Sequence, residues 1–319
     1  MKIKSLFIKL DAVIRKEGLF VFSKLVITKF LKTISVFSVV AKLKKNNFEV
    51  RFINEGDVSI FIPPITYFEV IRNFNFIQIS NSFSKRINSE PLLRQVVHRL
   101  YTQGFVSQSL SVIDIGAWIG DNALVWAKLL EDKSIIFAID PSKRNLDFIK
   151  QISQHNNLNN IKLVEAVCSD KDGNKMNFSG NIDHASFTTD STGYDSGLSS
   201  RSLDSIVGNT AIGLIHLDVE GHEFEVMLGA QKIIERDRPI IIFEQHLIDD
   251  NSSKTIDWLE RYEYKTTVVN EILTENRIDC RNFISFPKDF QLNEFIFSFE
   301  TSEIDAVIPA SFGPVLLRV

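Results

Sequence analysis

Cysteine is scarce here: Cys168 and Cys280 are the two in 319 residues. Two thiols cannot build a disulfide scaffold. They point to a reducing, cytoplasmic compartment, with a single bridge left open. No Cys/His cluster has zinc-finger spacing. The basic start, Met1–Lys9, lacks an apolar stretch followed by a small-residue cleavage site, so it does not read as a secretory leader. Internal repeats and low-complexity segments are absent.

Basic charge is missing from most of the chain. Residues 1–47 hold eleven Lys/Arg against Asp11 and Glu17, a surplus of +9. With −4 for the whole chain, residues 48–319 carry −13. An acidic body offers no track for a phosphate backbone, which sets nucleic-acid substrates aside. The basic head needs its own reading. Leu19–Ala41 is almost wholly apolar, but Lys24, Lys29 and Lys32 interrupt it. Lys24, Thr28, Lys32 and Ser35 fall on one narrow helical stripe. Spanning a membrane would bury three lysines at roughly 2.5–3.5 kcal/mol each. Residues 1–47 therefore read as a basic amphipathic helical extension. It either caps the main domain, packs on a second subunit of a homo-oligomer, or lies peripherally in a membrane interface.

What is present is an alternation. Residues 48–104 read as short strands, Phe48–Ile53 and Val58–Ile62, then a helix opened by Glu90-Pro91. Residues 105–319 alternate strands and helices, which predicts an α/β Rossmann-like sheet with helices on both faces. Strands are expected at Ser111–Ile115, Ile135–Ile139, Ile161–Cys168, Leu214–Val219 and Ile240–Phe243. A helix capped by Asp121 is expected over Asn122–Leu130, and another through Phe224–Ile234. Segments near Lys265–Val269 and Phe295–Phe299 are the candidates to complete the sheet.

Two motifs carry the chemistry. In Val112-Ile113-Asp114-Ile115-Gly116-Ala117-Trp118-Ile119-Gly120-Asp121, a buried strand ends in an acid, then a glycine turn, then a helix. Glycine lets backbone approach a ligand without a Cβ in the way. A nicotinamide site would prefer G-x-G-x-x-G with pyrophosphate on the helix N-terminus. Here the third glycine is missing, and Asp114 would repel pyrophosphate. A cationic amino-acid ligand fits better. Asp140 follows Asp114 by 26 residues at the tip of the next strand, where an acid can accept both ribose hydroxyls.

Together these residues resemble a class I methyltransferase, and the longer pattern resembles the FkbM-type family. The matching pieces are Asp114–Gly120, then Asp140-Pro141 with Asn145, then Glu165–Asp170. They continue with Ser202–Asp204, His216–Glu223, Leu228–Ala230 and Pro239–Glu244. The resemblance covers about residues 90–246. It implies S-adenosyl-L-methionine as methyl donor, S-adenosyl-L-homocysteine as product, and O-methylation of a hydroxyl on a sugar or small metabolite. It implies that Asp114, Gly116, Ala117, Trp118, Gly120 and Asp121 face the methionine part, that Asp140 and Pro141 hold the ribose, and that Val167 meets the adenine. Glu90 would reach the donor pocket or merely cap its helix. Trp118 stands where the family has Asn, and Asp140 where Glu is more usual.

The acceptor side is expected over the fourth and fifth strands. His216, Asp218 and Glu220 would share one strand face. Asp218 would organise the site, with His246 or Glu244 as base for the acceptor hydroxyl. A metal held by Asp218, Glu220, Glu244 or His246 could instead acidify that hydroxyl, so metal dependence stays open and no metal ligand is assigned. Rival readings are an inactive nucleoside-binding protein of the same fold, a nicotinamide dehydrogenase, and a nucleic-acid methyltransferase. The last lacks its Asn-Pro-Pro-aromatic block. The expected partner is a small-molecule or glycan acceptor, not nucleic acid.

Overall fold

Ser111–Ile115 (β3) and Ile136–Asp140 (β4) are buried at all five positions, and Ile212–Leu217 (β10) at all six. Strands buried on both faces read as continuous apolar runs and belong in the middle of a parallel sheet. The computed structural model describes residues 48–52, 58–62, 90–181, 184–188, 194–246, 252–270, 280–292, 295, 306–310 and 313–317. The cap, subunit and membrane readings of residues 1–47 fall outside them. Among the described residues, no helix is long and apolar enough to cross a membrane.

In chain order the elements begin with the hairpin β1 (Phe48–Phe52) and β2 (Val58–Ile62), then α1 (Pro91–Thr102) and β3. Next come α2 (Ala123–Leu130), β4, α3 (Lys143–His155), β5 (Ile161–Glu165) and β6 (Val167–Cys168). After β7 (Lys175–Asn181), β8 (His184–Thr188) and β9 (Tyr194–Arg201) follow α4 (Leu203–Val207) and β10. Then come α5 (Glu223–Leu228), α6 (Gln231–Asp237), β11 (Ile240–His246), α7 (Ser252–Arg261) and β12 (Tyr264–Asn270). The chain closes with β13 (Cys280–Pro287), β14 (Ala306–Ala310) and β15 (Gly313–Leu317).

The main sheet runs β5-β4-β3-β10-β11-β13-β12, and β15 and β14 extend it beyond β12. Its first five strands pair in parallel, while β13 is antiparallel to both β11 and β12. From β3 the chain winds outward through β4 and β5, then returns to place β10 on the other side of β3. That reversal leaves a crevice at the carboxyl ends of β3 and β10, where open α/β sheets bind ligands. The Rossmann-like expectation holds.

Two apolar cores flank the sheet. On face one, α1, α2 and α3 pack through Leu92, Val96, Trp126 and Ile149 onto Val112, Ala138, Leu214 and Ile242. On face two, α4 to α7 pack through Leu203, Met227, Ile233 and Leu259 onto Ile113, Phe137, Ile215 and Phe243. Ile60 of β2 is buried in the face-one core.

Three expectations need correction. The helix through Phe224–Ile234 is two helices, α5 and α6, parted at Gly229-Ala230. A Cβ on Gly229 would come 2.1 Å from the Ser169 carbonyl oxygen, so the chain breaks where another backbone crosses it. The strand Ile161–Cys168 ends at Glu165; Val167–Cys168 pairs instead with β9, in a second sheet ordered β6-β9-β7-β8. Cys280–Pro287 is a sheet strand that the pattern did not mark, and of the expected strand Phe295–Phe299 the described residue, Phe295, sits in a helical turn, fully buried and edge-on to Phe105. Residues 296–299 lie outside the described residues. β13 hides because buried polar residues mask its period: Ser285 bonds Thr266 at 2.8 Å, and Asn282 is also buried.

Candidate functional site

Side-chain alternation puts Asp140, Asp114, His216, Glu244 and Asn282 on face one, continuing Ala138, Val112, Leu214, Ile242 and Ile284. The register sorts them into two rows. Asp114 stands directly beside His216 and opposite Ala138. One step further toward the carboxyl edge lie Asp140, Gly116, Asp218, Glu244 and Asn282, since Ile115 pairs with Ile139 and Leu217, Leu217 with Phe243, and Glu244 with Asn282. A polar lane therefore crosses five strands at the switch point.

Gly116 is the narrowest point of that lane. Its φ is +77°, and a Cβ there would come 1.8 Å from the Asp218 carbonyl oxygen. Only glycine fits both conditions. Gly120 has φ +82°, with Ile149 2.9 Å from a would-be Cβ. Trp118 lies at φ +43°, a region bulky residues rarely adopt. Its N–H donates to Asp140 Oδ2 at 2.9 Å, which pins the turn.

The amides of this turn are committed inward. Gly116 and Ala117 both donate to the Ile139 carbonyl, at 3.0 and 3.1 Å, and Gly120 donates to the Ala117 carbonyl at 2.7 Å. With Trp118 bound to Asp140, these four N–H groups cannot cradle a phosphate. The turn presents carboxylate instead.

Asp140 Oδ1 accepts from the Ser142 amide at 2.7 Å and from Asn145 Nδ2 at 3.0 Å. A carboxylate has about four acceptor positions, so three bonds leave room for one more donor. Burial, with the charge of Asp114 added, raises its pKa to about 6 against those three bonds. Asn145, one of the family-pattern residues, is thus one of the three groups that orient Asp140. Pro141 follows it in the turn.

Asp121 does not cap α2, whose cap position is Asn122 without a side-chain bond. It pairs with Arg94 of α1 at 3.2 Å, while Arg94 Nε donates to Asn122 Oδ1 at 3.0 Å. Burial raises the Asp121 pKa to about 6; Arg94 opposes this, Glu90 and Asp114 add to it, and His216 opposes it. Glu90 holds the cap position of α1, also without a side-chain bond to the helix. It accepts from Asn282 Nδ2 at 2.7 Å, tying the entry of α1 to β13. Asp114 is almost fully buried, and its Oδ1 lies 2.8 Å from His216 Nδ1.

On the acceptor side β10 ends at Leu217, so Asp218 and Glu220 lie beyond the strand, and Glu220 takes φ +52°. The expected strand alternation of His216, Asp218 and Glu220 therefore stops at the sheet edge. Asp218 sits beside Gly116, its amide donating to the Ile115 carbonyl at 3.0 Å. Glu244 is buried on the next strand. His246 ends β11, paired with Cys280; its side chain lies outside what the structure describes. Glu223 is buried and accepts from the Gly221 amide at 3.1 Å. Val167 is buried in β6 beside Ser200. His222 Nε2 lies 3.1 Å from Ser169 Oγ, tying the β6 tip to the start of α5. Among the described residues, no group of three or more His, Cys, Asp or Glu is placed to hold a metal ion.

Burial raises the Glu223 pKa to about 7, opposed by its bonds to backbone amides and reinforced by Glu244. A carboxyl whose folded pKa exceeds its unfolded value stabilises the fold only while protonated. That stability is complete below about pH 4.5 and is lost as the pH rises through about 7. Glu223→Gln keeps an acceptor for Gly221 and removes the titration. Urea unfolding at pH 5 and pH 8 should show the variant gaining on wild type at pH 8, by up to roughly 3 kcal/mol.

Sequence reading missed Arg94, Trp126 and Asn282. Arg94 lies in a helix whose residues 92–97 are all buried, so no polar stripe marks it. Asn282 lies on the strand that was not identified.

Comparison with known proteins bears on this arrangement. The model of the methyltransferase FkbM domain matches residues 114–266. Curated proteins gave no match. Among solved structures, the chain is similar to a methyltransferase FkbM from Methylobacillus flagellatus KT, with 16% identity, 68% of this chain and 60% of that one covered, and TM-score 0.40. The chain thus spans about 60% of that structure's length. It is also similar to precorrin-6y C5,15-methyltransferase from Geobacter metallireducens GS-15, with 16% identity, 55% and 78% covered, and TM-score 0.35. A SAM-dependent methyltransferase from Aquifex aeolicus follows at 11% identity, 68% and 96% covered, and TM-score 0.37. Likenesses this distant carry no weight alone. What stands without them is the matched segment: residues 114–266 of this chain match the methyltransferase FkbM domain.

Proposed function

We propose that this chain binds S-adenosylmethionine at the tips of β3 and β4 and transfers its methyl group to a hydroxyl of a sugar or small metabolite held over β10 and β11. One observation carries the reading: the glycine turn spends its amides internally and is ringed by Asp114, Asp121 and Asp140, with Arg94 as the cation paired to Asp121. Such a site repels pyrophosphate and suits a ligand bearing an ammonium and a sulfonium. Asp114 Oδ2 is buried with no hydrogen-bond partner among the described residues, which fits a ligand donor there.

When bound, S-adenosylmethionine supplies an electrophilic methyl group on positively charged sulfur. The chain's residues align and deprotonate. Asp140, held by Ser142, Asn145 and Trp118, orients the ribose. Asp218 and Glu244, neighbours in the outer row, bind the acceptor hydroxyl. Glu244 or His246 takes its proton as the oxygen attacks. Alignment of two reactants is worth up to about 7–11 kcal/mol, so positioning supplies most of the rate.

The test is transfer of radiolabelled methyl from S-adenosylmethionine to a panel of glycans and small alcohols. Asp218→Asn should lower kcat about 10²-fold or more while donor affinity stays within about threefold. Full turnover in that variant would remove Asp218 from the chemistry. Donor binding without transfer to any acceptor would favour the inactive nucleoside-binding protein.

A further inference from the structure

We propose that His216 is a positioning residue for the donor site, an internal cation that holds Asp114 in one orientation and leaves its second oxygen to the ligand's ammonium. The proposal rests on the reading of the Gly116 turn as the S-adenosylmethionine site, and it adds a residue that the functional reading above leaves idle.

The geometry is specific. Asp114 and His216 are cross-strand neighbours on β3 and β10, so their Cβ atoms rise side by side from one sheet face. Nδ1 and Oδ1 are 2.8 Å apart, and both side chains are at most 4% exposed. Trp126 of α2 stands edge-on to the imidazole at 5.3 Å and 83°, closing the third side. The ring can therefore neither turn away nor reach water. Each partner has one remaining polar atom, Asp114 Oδ2 and His216 Nε2, and neither finds a partner among the described residues.

The surroundings decide the charge. Glu90 at the entry of α1 and Asp121 before α2 face the pair from the helical layer. Burial pulls the His216 pKa down, but the hydrogen bond and charge of Asp114, with the charges of Glu90 and Asp121, outweigh it and raise it overall. A protonated ring donates to Asp114 and offsets the negative charge that Glu90 and Asp121 add around the pair. A neutral ring could still bond Asp114 but would add nothing to offset their repulsion. A buried charge left without its partner is strongly disfavoured, so the two groups act as a unit.

The test separates the amino-acid end of the ligand from its nucleoside end. S-adenosylhomocysteine carries the ammonium; 5′-methylthioadenosine has the nucleoside and sulfur without it. Calorimetric titration of wild type and His216→Gln with both probes should show S-adenosylhomocysteine weakened at least about tenfold in the variant, with methylthioadenosine unchanged. His216→Lys, which keeps a cation, should recover most of the loss. Equal weakening of both probes, or of neither, would overturn the assignment while leaving the donor site standing. Wild type that bound neither probe would remove the donor site itself, and this assignment with it. A second measurement needs no variant: nitrogen NMR of the histidines at pH 7 should show both ring nitrogens of His216 protonated, and a neutral ring would overturn the proposal.

Discussion

Gly116→Ala is expected to destabilise the protein by about 2–5 kcal/mol and to abolish donor binding. Two penalties combine. The left-handed backbone at φ +77° costs an L-residue about 1–2 kcal/mol. The new methyl would also stand 1.8 Å from the Asp218 carbonyl oxygen, well inside van der Waals contact. That oxygen belongs to backbone anchored by the Asp218 amide on the Ile115 carbonyl, so it cannot step aside without unzipping the end of β10. The outer row of the site would shift with it. Gly173→Ala is the matched control, with φ +86° and nothing within 4 Å of its would-be Cβ. It should lose only the backbone penalty. Urea unfolding and calorimetric titration of both variants check this; equal losses would show that close approach at Gly116 does not matter.

Asp114→Asn is the second large effect. Removing one member of a buried ion pair costs about 3–5 kcal/mol when the survivor keeps its charge. Here His216 can shed its proton, which places the loss near the low end. The sign with pH follows. The wild-type pair raises the His216 pKa, so its stabilisation is full at low pH and declines as the pH rises through that raised value. The variant has lost that gain, and it should trail wild type by more at pH 5 than at pH 8. Donor affinity should fall about 10–100-fold, as for a lost hydrogen bond to a charged group. Chemical denaturation at the two pH values and titration with S-adenosylmethionine give both numbers. A variant of wild-type affinity would mean that the ligand does not use this carboxylate.

The parts of the fold legible in sequence were those where burial and period agree. β3, β4, β10 and β11 are mostly apolar, with their polar residues toward the strand ends, and α1 shows its buried stripe. The parts that were not legible share one physical cause: polar residues placed inside. β13 carries Asn282 and Ser285 in the interior, because each bonds a neighbour across the sheet or the helical layer. Gly229 looks like an ordinary helix position until another backbone is seen crossing it. In the site, Asp114, Gly116 and Asp140 could be chosen because an acid and a glycine at strand tips are chemically odd choices. What such oddness does not show is their neighbours. Arg94 beside Asp121, His216 against Asp114 and Glu90 on Asn282 are contacts between segments 27, 102 and 192 residues apart. Only the assembled sheet brings them together. Trp118 is a partial case. Its bulk is visible in sequence, but its left-handed backbone, and the Asp140 carboxylate that holds it there, are not.

The most direct measurement is a crystal structure with S-adenosylhomocysteine bound. One ribose hydroxyl is expected to donate to Asp140, the amino-acid tail to lie beside Gly116 and Asp114, and the sulfur to face Asp218 and Glu244. A nucleoside seated elsewhere on the chain, or a turn from Gly116 to Gly120 too tightly filled by Trp118 to admit it, would contradict the donor site.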